Sequence, residues 1–162
     1  MVAKTNALRV LEQAGVQFEV REYQLAMEEF TAVRVAELVE MTPDQVFKTL
    51  VAVGERNGPC FAVIPANTEL DLKALATAHR ERKIRLASLK EVLPLTGYQR
   101  GAVTAIAAKK PYPVYLDEIA ELFDEVAVSA GAKGIQVVLA TSDYIEITRA
   151  EIAPIGGVTG SG

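Results

Sequence analysis

The chain has 162 residues, half of them hydrophobic, with a net charge of −4: the size of one domain that buries its core without disulfides or metal. No apolar run reaches the roughly 18 residues that a membrane-spanning helix needs, and the acidic balance, with a pI of about 5.1, argues against a broad surface for gripping DNA or RNA by phosphate neutralisation. One cysteine, Cys60, and one histidine, His79, exclude an internal disulfide and are too few for a dedicated zinc site.

Met1 to Asn6 carries one lysine and leads into an amphipathic pattern, without the apolar stretch of a secretory leader. A soluble, cytoplasmic protein is expected. Thr5, then Leu8 and Leu11, then Gly15 predict a helix over roughly 5–14. Val16, Phe18 and Val20 alternate with polar residues, as in a strand with one buried face, and Tyr23 lies near its end. Thr31 is placed to cap a helix whose apolar face is Val35, Leu38 and Val39.

After the Thr42-Pro43-Asp44 turn, residues 46–53 are rich in β-branched and aromatic side chains and stop at Gly54. Asn57-Gly58 and the apolar run from Phe61 to Ile64 complete a predicted hairpin or adjacent strand pair. A helix from Asp71 to Ala78 with Leu72 and Leu75 inward is expected next, then a short strand at Ile84 and Leu86. Ser88 should cap a helix through Leu93 that Pro94 ends or bends.

Gly101 to Ala107 and Pro113 to Leu116 read as strands, and Asp117 as the cap of a helix through Leu122. Residues 126–128 and 135–139 read as strands about a Gly-rich turn, with a last helix from Ser142 or Asp143. Residues 1–155 are expected to form a single domain. Pro154 to Gly162 lacks apolar periodicity and reads as a fraying end, with 156–162 a flexible Gly-rich tail. Irregularly interleaved elements and the lack of a dinucleotide-type glycine fingerprint favour an α+β fold with a mixed sheet or barrel.

Lys48 is the most unusual residue, a charge within a strand of Val, Phe and Leu. Partial burial there would lower its pKa and fit it to act as a base, a nucleophile or a fixed cation facing developing negative charge; the plain alternative is a lysine on the solvent side of a half-exposed strand. Residues 129–134 and 96–102 are small-residue loops that let a backbone approach a ligand, as any hairpin turn also requires. His79, at a polar helix end, suits an exposed or C-capping role rather than base catalysis, and Cys60 a small core position. Arg80, Arg82, Lys83 and Arg85 make one basic cluster and Lys109-Lys110 another, candidate RNA contacts or solvated faces.

The stretch from Thr42 to Leu50, with Lys48-Thr49 after Pro43-Asp44-Gln45, resembles a segment of the YbaK/EbsC family. Leu70 to Lys73, Thr96-Gly97-Tyr98, Gly101, Lys109-Lys110 with Pro113, and Val128-Ser129 with Gly131, Lys133 and Gly134 follow in that family's order and spacing. The resemblance runs from Tyr23 to the last helix. It implies the fold of the prolyl-tRNA synthetase editing domain, a mixed, barrel-like sheet surrounded by helices. It implies a trans-editing aminoacyl-tRNA deacylase, typically for cysteine mischarged on tRNA(Pro), that contacts the tRNA acceptor end, with prolyl-tRNA synthetase as a further partner and with neither cofactor nor metal. Lys48 matches the family's critical lysine; Tyr23, Phe30, Thr49, Gly101 and Ser129 match pocket positions, with Ala102 and Gly131 beside them.

Two departures add a methyl each: Ala102 replaces the second glycine of a Gly-Gly pair, and Ala130 the first glycine of Ser-Gly-Gly. If they point into the pocket, the accepted amino acid changes to another small one such as alanine or serine. Two further readings are a non-catalytic module that binds aminoacyl-tRNA or a synthetase, and an enzyme in which Lys48 forms a Schiff base.

Overall fold

The computed structural model describes residues 4–24 and 31–157. Helix α1, Asn6–Gln13, begins where the Thr5 hydroxyl accepts the Leu8 N–H at 3.2 Å, and it buries Ala7, Leu8 and Leu11. Gly15, at φ +72°, turns the chain out of the helix. Strand β1, Phe18–Glu22, pairs antiparallel with β8, Ile135–Ala140, and β8 with β7, Glu125–Ser129, giving a three-stranded sheet in the order β1-β8-β7. Helix α2, Ala32–Leu38, is capped by the Thr31 hydroxyl, which accepts the Arg34 N–H at 3.0 Å.

The predicted hairpin forms as β2, Phe47–Gly54, and β3, Gly58–Pro65. Strand β5, Ile84–Leu86, flanks β2, while β6, Val114–Asp117, and β9, Glu151–Ala153, extend the other side in parallel, giving the order β5-β2-β3-β6-β9. Among the described residues, the two sheets are joined by one parallel bridge, Val46 to Ala127. The fold is thus mixed α+β, but β5 and β9 remain separate edges, so the expected barrel is not closed. The main core lies between α1, both sheets and Ile106. A second apolar cluster on the other face of the hairpin holds Cys60, Ala62, Ile64 and Leu75. No helix among the described residues is long and apolar enough to cross a membrane.

Several expectations are corrected. Helix α3, Leu72–Ala78, buries Leu75, but Leu72 in its first turn is 38% exposed. Helix α4, Leu89–Thr96, passes through Pro94 and ends at Gly97, φ +82°; proline removes only one N–H here, at an exposed position. Gly101 to Ala107 forms no strand but wraps Tyr98, whose hydroxyl donates to the carbonyls of Ile106 and Ala107 at 2.6 and 3.1 Å. The segment after Asp117 is a 3₁₀ turn, Glu118–Leu122, and α5, Thr141–Thr148, starts ahead of Ser142.

The end of the chain differs most. The N–H groups of Ile155 and Gly156 donate to Oδ1 of buried Asp117 at 3.0 and 2.8 Å. Ile155 is fully buried, and β10, Gly156–Gly157, pairs with β4, Glu69–Leu70. Apolar periodicity misses this segment because a carboxylate, rather than an amphipathic face, holds it.

His79 occupies the C-cap of α3, but it is buried, not exposed. Its Nδ1 and Nε2 lie 3.0 Å from the Tyr115 hydroxyl and the Gly58 carbonyl. Beside it, the Glu81 carboxylate accepts the N–H groups of Arg56 and Asn57 at the hairpin turn. Burial acts to raise the Glu81 pKa, but those two N–H groups, with His79 and Arg56 nearby, outweigh it and hold it below the usual carboxylate range.

Candidate active site

The ladder on the outer edge of β2 is interrupted. The Val51 carbonyl on that edge accepts the Ala87 N–H at 2.8 Å, and β5 pairs only with Ala52 to Gly54. Main-chain groups two residues apart face the same edge, so Thr49 also presents its N–H and C=O there. β7 bridges the chain only at Val46. Between β5 and β7 lies a cavity of about 710 Å³, lined by Lys48 and Thr49 from β2, Tyr23, Gly101 and Ser129 among others. The sequence's central candidate therefore sits where a sheet edge has been left open.

Lys48 is half-buried, and desolvation lowers its pKa below the ordinary lysine value, with Glu69 partly opposing this. Among the described residues, two polar atoms on the lining have no partner, the Tyr23 hydroxyl and Gln136 Oε1. Thr49 Oγ1 faces the hydroxyl of fully buried Tyr144. Gln136 is only 6% exposed. A buried acceptor without a donor costs about 1–3 kcal/mol, so such groups gather where a ligand supplies the missing bonds. Sequence reasoning missed Gln136; the signal available was a polar residue in the apolar run from Ile135 to Leu139.

Ser129 ends β7, its hydroxyl donating to the Ala102 carbonyl at 3.0 Å and accepting the Gly131 N–H at 3.1 Å. Tyr23 is held by its N–H, which donates to the Gly134 carbonyl at 2.9 Å. Gly134 must be glycine: φ is +85° and a Cβ would lie 2.9 Å from the Tyr23 carbonyl.

Five of the eight sequence-derived centre residues, Tyr23, Lys48, Thr49, Gly101 and Ser129, come together on the cavity. Phe30 lies outside the described residues. Ala102 and Gly131 do not line the cavity; they fix the Ser129 hydroxyl instead. Ala130 is buried in the main core, so neither added methyl narrows the cavity.

None of the six basic RNA-contact candidates lines it either. Arg82, Lys83 and Arg85 border a separate cavity of about 550 Å³ at the far end of β2. Arg85 is bound to Glu91 at 2.7 Å, and Lys109 Nζ reaches the Pro94 carbonyl at 3.5 Å. Arg80 follows α3 at φ +56°, and Lys110 is exposed.

Among the described residues, no aspartate, glutamate, histidine or cysteine lines the Lys48 cavity. Cys60 is buried in the second core, where burial and then Glu81 push its thiol up to about 12, so it is not a nucleophile. Among the described residues no three metal-ligating side chains gather. The arrangement suits holding and polarising a substrate whose attacking group comes from water or from the substrate itself.

Residues 27–147 match the family described as the aminoacyl-tRNA editing domain. The chain is 41% identical, over 94% of its length and 93% of the relative's, to EbsC of Enterococcus faecalis, named as a Cys-tRNA(Pro)/Cys-tRNA(Cys) deacylase. It is 30% identical, over 93% of its length and 91% of the relative's, to the multifunctional Ser/Thr-tRNA deacylase ProXp-y of Escherichia coli. Among solved structures it superimposes on one described as a trans-editing enzyme for prolyl tRNA synthetase, with a TM-score of 0.83, 28% identity, and coverage of 96% of this chain and 99% of that one.

Proposed function

The chain belongs to the aminoacyl-tRNA editing domain family, and on that footing we propose that it clears cysteine mischarged on tRNA(Pro), using Lys48 as its central residue. The observation that carries this reading is a cavity with one half-buried lysine, unpartnered polar atoms and, among the described residues, neither carboxylate nor imidazole. Cysteine brings its own nucleophile. Its sulfur attacks the ester carbonyl carbon, forming a four-membered thiolactone, while the carbon–oxygen bond to the ribose breaks and that oxygen takes up the proton. The released thiolactone then hydrolyses.

The protein must bend the aminoacyl group toward this geometry and stabilise the oxyanion as it forms. On this reading the Lys48 ammonium and the outward Thr49 N–H stabilise the oxyanion. Tyr23, Gln136 and Ser129 orient the amino group and side chain, with Ser129 acting as an acceptor because its proton is held by Ala102. The activity is consistent with a cytoplasmic protein, and prolyl-tRNA synthetase is the natural partner where mischarging arises. A second site for editing answers a physical limit: a synthetase pocket cannot strongly reject a ligand of similar size.

A second reading, serine or threonine as the cleared amino acid, is favoured by the unpartnered Gln136 acceptor and by the similarity to ProXp-y. The deciding experiment measures ester loss from tRNAs charged with cysteine, serine, threonine, alanine and proline, with the wild type and Lys48→Ala. Fast release of cysteine, abolished by the substitution, supports the first reading. Fast release of serine or threonine moves the assignment to the second, and no acceleration of any member removes both.

A further inference from the structure

The mouth of the Lys48 cavity carries two cations that the proposed chemistry does not use. Arg100 and Lys133 both line it, from the loops that also supply Gly101 and Ser129. Both are exposed, and neither has an ion pair or side-chain hydrogen bond among the described residues. Arg85, Arg34 and Arg21, by contrast, are each tied to a carboxylate. With no acid among the described residues of the lining, two positive charges share one opening in a protein of net charge −4. Such a local field orients an anionic partner without a broad basic surface.

Also on the lining stand two apolar side chains facing water: Leu86 on the edge strand β5, 47% exposed, and Leu89 in the first turn of α4, 65% exposed. Two uncovered leucines beside a cation pair without a carboxylate partner, at the entrance to a site for an ester, suit a flat heterocycle joined to a phosphodiester.

We propose that this mouth holds the 3′-terminal nucleotide of the RNA, with Arg100 and Lys133 on the phosphates that lead into it and Leu86 and Leu89 against its base. The inference rests on the deacylase reading and names where the RNA is held. It replaces the basic clusters around Arg82 and Lys109, which do not line the cavity, as the primary contact.

The test uses two substrates carrying the same amino acid: mischarged tRNA, and the 2′(3′)-O-aminoacyl adenosine, which keeps the ester and the base but has no phosphate. For the Arg100→Ala/Lys133→Ala double variant, kcat/KM on tRNA should fall at least tenfold further than on the nucleoside ester, through KM. The log–log salt slope of tRNA binding should become shallower by about 1.4, since each single-strand phosphate contact contributes about 0.7. Leu89→Ser should reduce both substrates by the same factor, because both carry the base.

An unchanged tRNA rate and salt slope in the double variant, or equal losses on both substrates, overturns the phosphate contacts. A Leu89→Ser loss confined to tRNA overturns the base contact. Lys48→Ala separates the two levels. If it leaves ester cleavage intact the active-site reading fails, whereas the salt slope still reports on the phosphates.

Discussion

The Ser129 hydroxyl donates to the Ala102 carbonyl at 3.0 Å while accepting the Gly131 N–H at 3.1 Å, so the serine of the cavity has its proton directed away from the substrate. A nucleophilic serine needs a base within reach to take that proton, and among the described residues neither a carboxylate nor an imidazole lines the cavity, while the Ser129 hydroxyl makes no hydrogen bond to Lys48. Ser129→Ala is therefore expected to keep turnover within about a hundredfold of the wild type and to lower stability by about 1–2 kcal/mol through two lost hydrogen bonds. Single-turnover deacylation and urea denaturation measure both; a loss approaching a millionfold would restore Ser129 as nucleophile.

Lys48 is held half-buried against its preference for water. Lys48→Met should abolish deacylation yet leave the fold at least as stable as the wild type at neutral pH. The sign follows from linkage: a folded-state pKa below the unfolded one makes the charged lysine a penalty at low pH. That penalty shrinks as pH rises through the folded pKa and vanishes above about 10.4. The stability gap between variant and wild type should narrow with rising pH; a gap that widens would contradict the burial.

Gln136 Oε1 is buried without a donor among the described residues. Gln136→Met should leave the protein as stable as the wild type or slightly more so, since an orphaned acceptor disappears, while lowering deacylation of the preferred tRNA about 10- to 100-fold. Thermal melting and the charged-tRNA panel read the two effects separately. Lost stability with retained activity would make Gln136 structural.

Gly131 sits at φ +96°, and a Cβ there would lie 2.9 Å from the Tyr98 ring. That ring cannot easily retreat, because the Tyr98 hydroxyl is anchored to Ile106 and Ala107. Gly131→Ala should cost about 1–3 kcal/mol and loosen the loop that positions Ser129. Denaturant midpoints measure the cost, and a neutral substitution would show that the loop relaxes.

Asp117 should govern the end of the chain. Asp117→Ala leaves the Ile155 and Gly156 N–H groups without their acceptor and is expected to cost about 2–4 kcal/mol. Amide exchange at both positions should rise toward that of the open chain. Unchanged protection would mean that β10 is held by its pairing with β4 alone.

The sequence by itself determined the elements whose signals are local: the helix after Thr5, the Thr31-capped helix, the β2–β3 hairpin about Asn57-Gly58, and the alternation in β1. It also singled out Lys48, because a charge inside an apolar strand is visible without coordinates. Tertiary structure decided what depends on partners distant in the chain. It took Gly101 to Ala107 out of the sheet to wrap Tyr98, buried His79 against Tyr115, and fastened Gly156 to Asp117. It brought Gln136 to the cavity and set Arg100 and Lys133, rather than the Arg80–Arg85 run, at its mouth. Periodicity reports which face of an element is apolar, but which polar group goes unpaired is settled only when segments far apart in sequence close around it.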